Sequence, residues 1–421
     1  MTIGRNRPMR GVRVASLACA ALLLTLLQPT VGCAQDGKDG KDGIPSPWTW
    51  SADGNVFAGY NYQQRHFANF SSLESQNWLM GIGDRLIGTG RLIVHTMISL
   101  EPFTIGKLIY AGGQRIPGSG GSPQLFQTGE SYQGTPLVNL QHPHDLVMAL
   151  GATYRYVRPR ATYIFGADLV GSPTLGPTPF MHRESARDNP QVPLTHHHMD
   201  STHISTGVVR AGVEAKGFTI EGSLFRGAEP DDQRTNIERP RLDSWAGRLS
   251  WKRGPWSAQF SGGLVHEPEW FEPYDHTRLT ASVGFDGAVG SRQLDATFAW
   301  GQERAKVVQN GVSDGFLLEW DLRATQKTAF YGRAEIAVKQ LFGLGLHPRG
   351  FEHPHVYSHI DSLTLGAVRD VVTARWSRLG LGADVTLYHM SADLLEYYEG
   401  SHSFHVFLRW RPNLSSAAHV H

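Results

Sequence analysis

From residue 54 to the end, the chain alternates between apolar and polar residues in long runs that recur again and again. Neighbouring side chains of an extended chain point to opposite sides, so this pattern builds a sheet with one apolar and one polar face. Phe316, Leu318, Trp320 and Leu322 alternate with Leu317, Glu319, Asp321 and Arg323. Phe330, Ala334, Ile336 and Val338 alternate with Tyr331, Arg333, Glu335 and Lys339, and Phe404, Val406, Leu408 and Trp410 with His405, Phe407 and Arg409. A soluble barrel would turn the apolar face inward and use shorter strands. A membrane barrel turns it toward lipid and keeps water and charge inside. The expected fold is therefore all-β, a transmembrane antiparallel up-and-down barrel.

The alternating segments fall at 54–66, 77–87, 90–104, 144–158, 161–171, 201–217, 218–228, 241–254, 256–268, 276–287, 292–305, 313–325, 327–341, 356–372, 374–390 and 400–411. That makes sixteen strands, an even number, as in single-chain bacterial barrels; fourteen to eighteen also fit the pattern. Very short connections (88–89, 159–160) alternate with long ones (105–143, 172–200), the rhythm of periplasmic turns and outer loops. Most tryptophans sit near strand ends, where an interfacial ring places them. No linker interrupts 54–411, so one closed architecture is expected over 54–412.

The first 34 residues read as an export signal, with Arg5, Arg7, Arg10 and Arg13 ahead of a short apolar run from Ala15 to Leu27. Cleavage after Ala34 is one reading; a lipoprotein signal at Thr30-Val31-Gly32-Cys33 is the other. Both cysteines, Cys19 and Cys33, lie in this segment, so ordinary cleavage leaves no disulfide and no thiolate chemistry. Residues 35–53, including the DGKDGKDG run, read as a flexible periplasmic leader too short for a plug domain, and 413–421 as a tail. Lys+Arg (39) and Asp+Glu (38) nearly cancel, so nucleic acid is not an expected partner. The expected location is the outer membrane of a Gram-negative cell, with outer-membrane lipid around the barrel.

Chemistry concentrates in the long connections. Gln141-His142-Pro143-His144-Asp145 ends the first, which is Gly-rich and could fold inward; the second holds His182, Arg183, Glu184 and the run His196-His197-His198-Met199-Asp200, followed by His203. Imidazole suits copper and zinc, and thioether sulfur favours Cu(I). The candidate metal ligands are His142, His144, Asp145, His182, His197, His198, Asp200 and His203; loop histidines that merely solvate the surface are the plain alternative. Arg183, Glu184, Arg226, Glu229 and Asp231 are expected at the mouth beside the histidines. Parity turns Glu221, Arg248, Asp295, Glu319, Asp321, Arg323, Arg333, Glu335, Lys339, Asp384 and Arg409 into the lumen, where mixed signs argue for a weakly selective wall.

Four stretches resemble a family of uncharacterised proteobacterial outer-membrane β-barrel proteins. They are Gln141 to Leu146, Phe180-Met181-His182-Arg183-Glu184-Ser185-Ala186, His197 to Ile204, and Phe225-Arg226-Gly227-Ala228-Glu229-Pro230-Asp231. Leu242-Asp243-Ser244-Trp245 also fits. The resemblance implies association with copper or other heavy-metal resistance loci. It carries over no established biochemical activity, and the family's Met-rich leader is absent here. The last strand, Phe404 to Trp410, is similar to the signal read by the barrel-assembly machinery, although residues 411–421 follow it. Three functions stay open: a passive or weakly selective channel for small solutes or metal ions, a non-conducting barrel with a metal- or partner-binding mouth, and a barrel-embedded hydrolase around Asp200, Ser201 and His203. The first is the expected one, and the protein is not expected to be an enzyme.

Overall fold

The computed structural model describes residues 47–64, 70–105, 107–109, 115–120, 130–132, 135–137, 144–231, 233–268, 274–306, 311–340, 357–395 and 402–412. The expected signal segment, most of the leader, His142, most of 105–143 and the tail lie outside the described residues.

Sixteen antiparallel strands close into one barrel. They are β1 (Thr49–Gln63), β2 (Phe70–Ile87), β3 (Gly90–Ile98), β4 (Val147–Val157), β5 (Thr162–Gly171), β6 (Ser205–Ala215), β7 (Phe218–Phe225) and β8 (Ser244–Arg253). There follow β9 (Trp256–Val265), β10 (His276–Val289), β11 (Arg292–Ala305), β12 (Val312–Arg323), β13 (Thr328–Gln340), β14 (Tyr357–Thr373), β15 (Ser377–Met390) and β16 (His402–Pro412). Each strand pairs with its sequence neighbours, and β1 pairs with β16 from Val56↔Trp410 to Gln63↔Ser403 to close the ring. Closure leaves no edge of unpaired amides, which a hydrocarbon surrounding would not tolerate.

The two faces are inverted relative to a soluble protein. Phe298, Phe316, Leu318, Phe330, Ile336, Leu363, Leu381, Val406 and Leu408 are exposed on the outside. Arg278, Arg333 and Arg409 are each 1% exposed, among the most deeply enclosed side chains of the molecule. That arrangement is stable only where hydrocarbon is outside and polar partners are inside. Aromatic rings collect at the end with the short turns. Trp48 stacks on Trp50 at 5.6 Å, Arg85 lies over Trp48, and Arg375 lies over Trp376.

Strand boundaries shift where side chains find better partners than a ladder. β1 starts at Thr49, inside the expected leader. β3 ends at Ile98, because Asn77 accepts from the Leu100 N–H and a helical turn follows at Glu101–Thr104. β6 starts at Ser205 rather than 201, since Ser201–Ile204 coils into a tight turn after Asp200.

Candidate functional site

The connection from Ser172 to Ile204 joins β5 to β6 and runs through the inside of the barrel. It is hydrogen-bonded to the inner wall along much of its length. Thr174 N donates to Ser223 Oγ at 2.9 Å and Gly176 N to Ser261 Oγ at 2.8 Å, tying the start to β7 and β9. Gly176 has φ +87°, a backbone setting that suits glycine, and its carbonyl accepts from Arg248.

The segment then crosses to the opposite wall. Arg183 donates through Nε to Glu319 Oε1 at 2.5 Å and through Nη1 to Asp200 Oδ2 at 2.8 Å. Ser185 Oγ donates to the same Glu319 oxygen at 2.9 Å. Arg333 closes the network, giving Nε to Glu319 Oε2 at 3.1 Å and Nη1 to the Gln191 carbonyl at 2.7 Å. Asn55 of β1 donates to the Arg187 carbonyl, and Asp188 pairs with Arg409 of β16. Gln191 donates to Asp384 and Thr386 of β15, and Thr195 gives both N–H and hydroxyl to Glu335 Oε1 at 3.0 Å. A buried charge is tolerable only when paired and hydrogen-bonded, and here the loop supplies partners for the inward-facing charges of the wall.

One helical turn, His196–Met199, presses onto β11 and β12. Gly301 and Gly315 face each other there in register. A Cβ on Gly301 would stand 2.2 Å from the His198 carbonyl, so the pair forms a notch for the loop backbone. Met199 fills the adjacent space against Ala299 and Leu317.

Asp200 organises the histidines. Its Oδ1 meets His196 Nδ1 at 2.7 Å, its Oδ2 takes Arg183 and the Phe180 N–H, and its carbonyl accepts His203 Nδ1 at 2.8 Å. His144, held by Glu101 at 2.8 Å, stands 5.4 Å from the His203 ring, and Phe180 stacks on His144 at 5.9 Å. Burial is the largest influence on these imidazoles and pushes His196 and His197 down to about 4 and His198 to about 3, so all three are neutral at pH 7. Burial opposes ionisation of Asp200, but His196 and Arg183 overcome it and hold the carboxyl low.

The other candidates disperse. His182 lies edge-on to Trp78, and Glu184 pairs with Arg187. His197 approaches Glu229 at 3.9 Å, whereas His198 sits against Gly315, away from the His144–His196–His203 group. Asp145 pairs with Arg234 at 3.2 Å, Arg226 bonds Thr206, and Asp231 bonds Gln233 in its own exposed loop. Glu319, Asp321, Arg323, Arg333 and Glu335 stand on the inward-facing positions of β12 and β13. Among the described residues, no group of three or more His, Cys, Asp or Glu side chains is arranged to hold a metal ion. His196 is the residue that sequence reasoning left out of the site; its spacing of four before Asp200 on one helical turn was the available signal.

Beside the loop, on the side from β1 to β11, a cavity of about 1120 Å³ remains. It extends from Thr49, Trp251 and Lys252 at the short-turn end to Met181, Arg183 and His203 of the loop. Its wall carries Arg155–Glu214, Arg248–Glu221 and Arg91–Asp84 pairs, so both signs are present.

No protein-family model matches the chain, and no curated protein does. Among solved structures, it is similar to the anion-selective porin from Comamonas acidovorans, with a TM-score of 0.52 and 10% identity over 87% of this chain and 100% of that one. It is also similar to the Salmonella typhi OmpF, solved in complex with daunomycin, with a TM-score of 0.51 and 9% identity over 86% of this chain and 97% of that one. These likenesses show a porin-like barrel fold.

Proposed function

We propose that the protein is an outer-membrane channel, passive and weakly selective, whose lumen is narrowed by the inward segment 172–204. The observation that carries this reading is the cavity of about 1120 Å³, with ion pairs on its wall, running beside the segment inside a closed barrel. A sixteen-strand ring is wide enough to enclose water, and an apolar exterior with an even strand number is the form of bacterial outer-membrane barrels. Paired charges of both signs along the wall favour small hydrophilic solutes without a strong preference for anions or cations.

The porin-like folds of its structural neighbours support the same reading. The hydrolase alternative finds no support: Ser201 Oγ accepts from Arg278, and His203 Nδ1 is bonded to a backbone carbonyl, so neither is set up as nucleophile and base. The dense anchoring of the segment, by contrast, favours the alternative of a plugged, non-conducting barrel. Planar-bilayer recording from the purified, folded full chain separates the two. Discrete steps with a reversal potential near zero in a KCl gradient support the channel; silence from folded protein refutes it.

A further inference from the structure

Six methionines lie beyond residue 46, and four of them meet inside the barrel. Met80 of β2 and Met97 of β3 are directly opposite in register, a spacing that brings side chains on one face within about 5 Å at Cβ. On β4 the register slips between Met97 and Ile98, and Met148 is the extra residue of that bulge. Bulges re-aim a side chain, and this one adds Met148 to the row. Met181 descends on the same patch from the inward segment. All four line the cavity, as does His95, two residues before Met97 on the same face of β3.

The inward wall of a membrane barrel is ordinarily polar, and in this lumen ion pairs such as Arg248–Glu221 and Arg333–Glu319 alternate with apolar clusters such as Phe57, Tyr331, Val368 and Phe407. Here three adjacent strands bring thioethers to the cavity, flanked by Ile82 and Ile93 and packed against Val170 and Ile204. Thioether sulfur gives hard cations nothing in exchange for their water, whereas it bonds soft monovalent cations well.

We infer that Met80, Met97, Met148 and Met181 form a binding site for a soft monovalent cation, Cu(I) or Ag(I), on the wall of the passage. The site adds a cargo to the channel reading and rests on it only for the ion's route. It is distinct from the histidines grouped around Asp200.

The test uses the purified full chain in detergent with silver nitrate, or with copper under ascorbate, and metal retention after desalting as the readout. Wild type should retain about one ion per chain and no Zn(II). The Met80→Leu/Met97→Leu/Met148→Leu variant, close in volume and lacking sulfur, should bind at least tenfold more weakly, while Met199→Leu, against β11 and β12, should match wild type. Heat-modifiable migration on gels checks folding. Should the triple variant not fold, wild type alone decides: bound Ag(I) should protect Met181, the most exposed of the four, from peroxide oxidation, read by mass spectrometry. Absent retention, equal retention by the triple variant, or no protection overturns the inference and makes the patch a packing surface. Conductance without metal retention removes this site and leaves the channel; retention without conductance does the reverse.

Discussion

Arg183→Met should release the inward segment while leaving the barrel closed. Arg183 is 6% exposed and makes two charge-assisted hydrogen bonds, to Glu319 at 2.5 Å and Asp200 at 2.8 Å. Such bonds contribute roughly 1.5–3 kcal/mol each, and breaking a buried pair by removing one partner costs about 3–5 kcal/mol. Glu319 keeps Arg333 and Ser185, and Asp200 keeps His196, so the lower half of that range is expected. A loss of about 3 kcal/mol multiplies the undocked population by roughly a hundred, at a factor of ten per 1.4 kcal/mol. Hydrogen exchange read by mass spectrometry should show amides of 183–204 exchanging on the order of a hundredfold faster, with β11 to β16 unchanged. Single-channel steps should become larger or flicker. Protection of 183–204 within threefold of wild type would refute the view that this ion pair holds the segment.

Two other expectations concern pH and the lipid face. The folded-state values of His196 and His197 are depressed to about 4, below the ordinary 6.5, so their contribution is fully present above pH 6.5 and is lost as pH falls toward 4. Protection factors of the 195–204 amides, corrected for the intrinsic pH dependence of exchange, should therefore fall between pH 7 and 4.5, and unchanged protection would contradict the buried, neutral state of these rings. Leu318→Arg, at an outward position midway along β12, should destabilise the barrel in lipid vesicles by about 2–4 kcal/mol in urea titration.

The wall of the barrel was legible because its signal is local. One residue decides the face of the next, so Glu319, Arg333, Glu335 and Arg409 could be turned inward from parity alone. The helical turns at Glu101–Thr104 and Ser201–Ile204 were missed because side chains such as Asn77 and His203 bond the backbone there. The path of 172–204 was not legible, since its partners lie far along the chain: Glu319 is 136 positions from Arg183, and Arg409 is 221 from Asp188. Five prolines between 173 and 193, with the paired Gly301 and Gly315, were hints of a stiff segment and of a place to lay it. The methionine row was hidden likewise, because Met80, Met97 and Met148 become neighbours only once register and bulge are known.

Arg187 and Asp188 are consecutive, and each grips one of the two strands at the seam: the Arg187 carbonyl takes Asn55 of β1, and Asp188 takes Arg409 of β16. Arg409 is itself opposite Phe57 in the closing ladder. The first and last strands to be made are thus indexed against one another by a dipeptide from the middle of the chain. A slip of one residue at the seam would turn Arg409 toward lipid and strip Asp188 of its partner, so the segment that narrows the passage also proofreads the closure of the ring.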